Sequence, residues 1–195
     1  MVSLSPLTYL YPLHAGMPQS VAPKLGLAHI PSPAFGDGSH PTTRLCAGAV
    51  DVLCRTQAIA SLLDVGTGTG VLARIARARG VEFVAATDID PIALQAAQRN
   101  AALDEHASAI EFANARPDHW GTRFDLVVAN ILEAPLRELA PALVRALTLR
   151  GQLLLSGLTR LQAPGLRLHY EGMGLKLRSE SEMNGWVLLH LQRDT

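Results

Sequence analysis

Apolar and polar positions along this chain fall into short blocks whose period changes. Ser61-Leu62-Leu63-Asp64-Val65 is an apolar run ending at glycines, the pattern of a buried strand. Val71 to Arg79 follows with helix formers, and Gly80 closes that segment as a C-terminal cap. Glu82 to Thr87 reads as a second strand. Asp90 before Pro91 is an N-cap with proline at the first helical position, and that helix runs to about Leu103. Ala109–Phe112 is a weaker strand and Phe124–Ala129 a strong one. A helix over Ala134–Ala146 and a strand over Gln152–Leu155 come next. The tail predicts a helix near Gln162–Gly172 and strands near Leu175–Ser181 and Trp186–Gln192. Asn184-Gly185 between those strands is a hairpin signal. Strands alternating with helices imply an α/β protein, a largely parallel sheet covered on both faces. The closing hairpin implies an antiparallel edge.

Residues 1–41 break this pattern. They hold seven of the 12 prolines and only Lys24 and Asp37 as charged side chains. Fixed φ angles and missing N–H donors exclude a long helix or a central strand there. The segment reads as an extended arm lying over the domain, which divides the chain into an arm, 1–33, and a folded domain, 34–195.

Composition narrows the function. The 195 residues carry 17 basic and 17 acidic side chains, so the formal charge is zero. A broad phosphate-tracking surface is not expected, and neither is direct nucleic-acid binding. Cys46 and Cys54 are too few for a disulfide framework and read as small apolar residues on one helix face. No signal peptide pattern and no run of about 18 apolar residues is visible. A soluble protein of a reducing, cytoplasmic compartment, without membrane contact, is the expectation. His14, His29, His106, His119, His169 and His190 have no metal-ligand spacing, and Trp120 and Trp186 read as packing residues.

Candidate chemistry begins at Asp64-Val65-Gly66-Thr67-Gly68-Thr69-Gly70, a glycine turn between a strand and a helix. Glycines there allow a tight turn and a close backbone approach to a ligand. Gly68-x-Gly70-x-x-Ala73 satisfies the dinucleotide fingerprint. Gly66-x-Gly68-x-Gly70 fits instead the turn of class I methyltransferases, which bind S-adenosylmethionine. The turn alone leaves both open. Asp88, at the end of the next strand, is placed to accept ribose hydroxyls in either case. A carboxylate at Asp64 would repel a pyrophosphate and tolerate a ligand with an amino group and a sulfonium, which favours S-adenosylmethionine.

Two further segments sharpen the choice. Ala34-Phe35-Gly36-Asp37-Gly38-Ser39-His40-Pro41-Thr42-Thr43 precedes the first helix, and Ala129-Asn130-Ile131-Leu132 ends the fourth core strand. With Asp64–Gly70 and Asp88-Ile89-Asp90-Pro91, they resemble the ribosomal protein L11 methyltransferase family. The likeness extends through Gly151-Gln152-Leu153, Leu155-Ser156-Gly157-Leu158 and Gly185-Trp186. It implies a Rossmann-like class I methyltransferase fold, a seven-stranded, mostly parallel sheet with an antiparallel last strand and helices on both faces. It also implies S-adenosylmethionine as cofactor, with S-adenosylhomocysteine as product. By position, Phe35, Thr42, Thr43, Asp64, Gly66, Gly68, Gly70, Asp88, Ile89 and Asn130 match its cofactor-binding segments. Asp37 departs from the family's usual threonine. Members of the family carry a separate N-terminal substrate-recognition domain, which this chain is expected to lack.

The implied activity is N-methylation of a protein amine, a lysine side chain or N-terminus, with ribosomal protein L11 as the family's acceptor. Methyl transfer is an in-line displacement, so the protein contributes chiefly by positioning the nucleophile. Asn130 is the candidate for orienting an amine. His40, Asp37 and Glu133 are candidate bases by location, with Asn130 and His40 the catalytic pair of choice. Alternatives are a small-molecule methyltransferase, a nicotinamide-dependent oxidoreductase, and a cofactor-binding module without catalysis.

Overall fold

The computed structural model of the protein describes residues 1–6, 8–13 and 25–193. His14 and Lys24 lie outside them. In chain order, β1 (Val2–Ser5), β2 (Thr8–Pro12) and β3 (Leu25–His29) precede α1 (Pro41–Thr56). The core alternates β4 (Ser61–Val65), α2 (Val71–Ala78), β5 (Phe83–Thr87), α3 (Pro91–Ala101), β6 (Ile110–Ala113), β7 (Phe124–Asn130), α4 (Glu133–Arg145), β8 (Leu147–Thr159) and α5 (Ala163–Glu171). The hairpin β9 (Leu175–Met183) and β10 (Trp186–Arg193) ends it.

The central sheet has seven strands in the order β6-β5-β4-β7-β8-β10-β9. All neighbours from β6 to β8 pair in parallel, while β10 is antiparallel to both β8 and β9. The antiparallel strand is therefore inserted inside the sheet, and the edge strand β9 runs in the same direction as β8. The last strand is thus antiparallel, as expected, while its place inside the sheet, with β9 at the edge, is not written in the hairpin signal. The hairpin turn is still the expected one: Asn184 and Gly185 both take positive φ, 52° and 80°, as a two-residue type I′ turn requires.

Alternation along the strands sorts side chains between two faces. Leu62, Val84, Leu126, Val128 and Leu154 pack with Cys46 and Val50 of α1 and with Leu72 and Ile75 of α2. Leu63, Val65, Val127, Leu153 and Leu155 pack with Leu136 and Leu143 of α4 and Leu166 of α5. Helices therefore cover both faces, as a buried parallel sheet demands. The Tyr170 hydroxyl donates to the Leu136 carbonyl at 2.6 Å and ties α5 to α4.

The proline-rich start is a small sheet rather than a bare arm. Its order is β1-β2-β3, with β2 central, antiparallel to β1 and parallel to β3. The prolines explain how: Pro6 lies between strands, Pro12 is the last residue of β2, and Pro31 and Pro33 follow β3. Proline count argues against a central strand, but proline spacing permits this one. Leu4, Leu10 and Leu27 join the core cluster of α1. Buried Asp51 of α1 accepts from Arg79 Nε at 2.5 Å and from the Ser5 hydroxyl at 3.2 Å, which anchors β1.

Candidate active site

The strand order reverses at β4: β5 and β6 lie on one side, β7 and β8 on the other. Loops leaving neighbouring strands part at such a point, and a crevice opens beyond their carboxyl ends. Here the crevice is a cleft of about 930 Å³. The glycine turn after β4 forms its floor. The Gly66 and Thr67 N–H groups both donate to the Thr87 carbonyl of β5, at 2.8 and 3.0 Å. Gly68 has φ +56°, and a Cβ there would lie 2.1 Å from the Phe35 carbonyl oxygen. At Gly66 a Cβ would meet Ile131 Cγ2 at 2.2 Å. Neither position admits a side chain, so the backbone lies bare against the cleft.

Two aspartates hold this turn. Asp88 Oδ2 accepts from the Gly68 N–H at 2.9 Å, and Oδ1 from the Asp90 N–H at 3.0 Å. Asp88 lines the cleft and keeps lone-pair capacity on both oxygens for further donors. Asp64 is fully buried and lies outside the cleft wall. Its Oδ2 accepts from the Thr67 hydroxyl at 2.7 Å and the Ala73 N–H at 3.3 Å. Burial pushes its carboxyl up to about 7, against the opposing pull of those two donors. A carboxyl that is buried behind the turn, where burial disfavours its charge, is not placed to screen out a pyrophosphate. Its evident work is to brace the turn from behind.

The segment before α1 lies across the turn. Phe35 is 51% exposed and lines the cleft with Pro33, Ala34, His40 and Thr42. His40 is the N-cap of α1, and its Nδ1 accepts from the Thr42 N–H at 3.3 Å, with the Thr42 hydroxyl at 2.8 Å. An N–H can only donate, so Nδ1 is the acceptor and the neutral ring carries its hydrogen on Nε2. His40 thus has no spare lone pair with which to serve as a base. Its ring meets Phe35 and Trp186 edge-on, at centroid distances of 5.3 and 4.7 Å. Asp37 is exposed and turns inward on its own loop, accepting from the Ser39 N–H at 2.9 Å and hydroxyl at 2.6 Å. Those bonds hold its carboxyl below the usual range. Glu133 pairs with Arg137 at 2.8 Å. Neither Asp37 nor Glu133 is in the cleft wall, which leaves His40 as the one proposed base that lines it.

Asn130 ends β7 in the cleft wall beside the turn. Register places Asp64 beside Val128, so Asn130 continues the same sheet face two residues further on. Its Oδ1 is buried without a hydrogen-bond partner, as are Asp64 Oδ1 and Thr43 Oγ1. Ile131 backs Gly66, while Ile89 and Leu132 stand 92% and 69% exposed at the rim.

Of the residues expected to form the site, Phe35, His40, Thr42, Gly66, Gly68, Asp88, Ile89 and Asn130 line one cleft. Thr43, Asp64 and Gly70 do not; Gly70 instead packs on Ala97, 3.1 Å from where its Cβ would be. Trp186 reads from the sequence as a packing residue, yet it lines the cleft. A strand antiparallel to the rest begins at the edge where the others end, and the pairing of β10 with β8 sets Trp186 beside Thr159. Asn114, Ala115, Arg116 and Pro117, after β6, and Glu138 and Leu139 of α4 complete the wall without any sequence motif to announce them. Among the described residues no three His, Cys, Asp or Glu are grouped to hold a metal, and no helix is long and apolar enough to cross a membrane.

Comparison with known proteins agrees with this geometry. Residues 12–194 match the family model "Ribosomal protein L11 methyltransferase (PrmA)". The ribosomal protein L11 methyltransferase of Synechococcus sp. (strain RCC307) is 37% identical over 189 residues, covering 94% of this chain and 62% of that protein. The one from Myxococcus xanthus is 40% identical over 163 residues, covering 84% of this chain and 56% of its own length. The chain thus spans less than two thirds of these curated relatives. The crystal structure of a ribosomal protein L11 methylase from Lactobacillus delbrueckii subsp. bulgaricus superposes with a TM-score of 0.90 at 29% identity, covering 100% of this chain and 98% of that one. A class I methyltransferase sheet, a glycine turn clasped by the Phe35 segment and a family match over nearly the whole chain lead to one conclusion: the protein belongs to the ribosomal protein L11 methyltransferase family.

Proposed function

We propose that this chain, through residues 34–195, is an S-adenosylmethionine-dependent methyltransferase that N-methylates a protein amine, its acceptor related to ribosomal protein L11. The observation that carries the reading is the cleft at the β4–β7 switch point, with bare glycine backbone on its floor and the unpartnered Asn130 Oδ1 in its wall. These residues fit the cofactor. Asp88 would accept its ribose hydroxyls, with Ile89 beside them. Gly66 and Gly68 would lie against its chain, and Phe35 and Thr42 would close over it. When bound, S-adenosylmethionine supplies an electrophilic methyl group on a sulfonium.

The protein's share is orientation. A buried carbonyl oxygen without a partner accepts an N–H from an incoming amine and directs the nitrogen lone pair. The edge-on rings of His40 and Trp186 narrow the space around that amine. With His40 Nδ1 committed to capping α1, the amine is expected to arrive already deprotonated. The family's acceptor favours a protein substrate over the small-molecule reading.

The test is transfer from isotopically labelled S-adenosylmethionine to purified ribosomal protein L11, read by mass spectrometry of its peptides. Label on a lysine or the N-terminal amine supports the proposal. Turnover on small amines with no label on L11 or any other ribosomal protein would move the function to the small-molecule class.

A further inference from the structure

Residues 30–40 belong to no strand, and Pro33, Ala34, Phe35 and His40 among them form one wall of the cleft, with His40 ending the segment as the cap of α1. Their position rests on a few bonds to the core. The Ile30 N–H donates to Asn100 Oδ1 at 2.9 Å. The Phe35 carbonyl accepts from the Thr69 N–H at 2.9 Å, and the Gly36 carbonyl from the Thr69 hydroxyl at 2.7 Å. Asn100 Nδ2 in turn donates to the Thr69 carbonyl at 3.0 Å. Asn100 and Thr69 are 1% and 0% exposed, and neither lines the cleft.

Among the described residues, these three bonds are the hydrogen bonds that join the Ile30–Ser39 strap to the core, and each ends on Thr69 or Asn100. Both ends of the Asn100 amide are committed, and the orientation is fixed by chemistry: an N–H must face the oxygen and a carbonyl the nitrogen. Thr69 belongs to the glycine turn, whereas Asn100 comes from α3. A single buried asparagine therefore sets the strap and the turn relative to each other.

We infer that Thr69 and Asn100 are positioning residues that hold the strap closed over the cofactor half of the cleft, an inference that rests on the cofactor reading above. When strap closure is required for binding, apparent affinity scales with the closed fraction, so a change in the closure equilibrium reaches affinity in full only where the open strap predominates. Losing one ordinary hydrogen bond changes such an equilibrium by about 2- to 13-fold. Thr69→Val keeps the shape and removes the hydroxyl, leaving the Gly36 carbonyl unpaired, so the upper part of that range applies.

The experiment compares wild type, Thr69→Val, Thr69→Ser and Asn100→Asp in two measurements. Hydrogen exchange without ligand reads the Thr69 and Ile30 amides. Calorimetric titration with S-adenosylhomocysteine, well below each melting temperature, reads affinity. The strap account expects Thr69 exchange roughly tenfold faster in Thr69→Val and binding weaker by up to that factor, with Thr69→Ser within about twofold of wild type in both. Asn100→Asp keeps the Ile30 acceptor and loses the Thr69 donor, so it should loosen Thr69 while Ile30 stays protected. Wild-type Thr69 exchange in Thr69→Val overturns the inference, because the hydroxyl would then hold nothing closed. Equal losses in Thr69→Val and Thr69→Ser also overturn it, since the hydroxyl would then be irrelevant. Failure of wild type itself to bind S-adenosylhomocysteine would overturn the functional reading as well, and so separates the two.

Discussion

Replacing Asp64 with asparagine should change how stability depends on pH, and in one direction only. The side chain is fully buried, and burial raises its carboxyl from an ordinary 3.8 to about 7. The folded protein therefore holds a proton there that the unfolded chain has released. Between about pH 4 and pH 7 the native state binds more protons, so stability falls as pH rises through that window. The contribution is fully present below the unfolded value and gone above the folded one. A shift of this size corresponds to roughly 4 kcal/mol across the window. The asparagine amide in Asp64→Asn keeps a carbonyl oxygen for the Thr67 hydroxyl and the Ala73 N–H but cannot ionise. The assay is urea unfolding of wild type and Asp64→Asn without ligand at several pH values from 4 to 8. Subtracting the curves cancels the other carboxylates. The difference should favour the variant increasingly up to about pH 7 and then level off. A difference independent of pH would show that the fold does not raise the Asp64 carboxyl, and the reasoning from its burial would be wrong.

Asp88→Ala removes an acceptor from the cleft and should weaken S-adenosylhomocysteine binding by about 1.5–3 kcal/mol, the range for a charge-assisted bond, measured by calorimetry. It should also lower the melting temperature, because the Gly68 and Asp90 N–H groups lose their acceptor; unchanged affinity would reject the ribose role. Gly68→Ala places a Cβ 2.1 Å from the Phe35 carbonyl oxygen, so the strap must shift and cofactor affinity should collapse with modest loss of global stability. Asn130→Leu should lower kcat on the order of 10²-fold through misplacement of the amine, while the unfolding midpoint changes little. With His40 Nδ1 committed to capping α1 and neither Asp37 nor Glu133 in the wall, the rate should rise with pH towards the acceptor's own pKa, about 8 for an N-terminal amine and about 10 for lysine, and a plateau below pH 7 would point to a base on the enzyme.

Much of the core is legible in the sequence because its signals are local. The strand Ser61–Val65 lies where the apolar run predicts it, and Asp90 caps α3 by accepting from the Ile92 N–H at 2.8 Å. What is not legible depends on where elements meet. The first residues read as an arm when prolines are weighed by number, while their spacing leaves room for Thr8–Tyr11 between Pro6 and Pro12. Strand order inside the sheet is not written in any period, so nothing local announces the insertion of β10 between β8 and β9. The exposure of Trp186 to the cleft follows from that insertion and is equally hidden. Asp64 illustrates a different limit. A motif position records that a carboxylate is needed, not whether it faces the ligand or braces the loop behind it, and burial decides that.

The central claim is that the crevice between β4 and β7 is an S-adenosylmethionine site. Calorimetric titration of the full chain with S-adenosylhomocysteine and, separately, with NADH tests it most directly. Saturable one-site binding of S-adenosylhomocysteine with no heat from NADH is the predicted result. Binding of NADH without S-adenosylhomocysteine would contradict it and turn the glycine turn into a dinucleotide site.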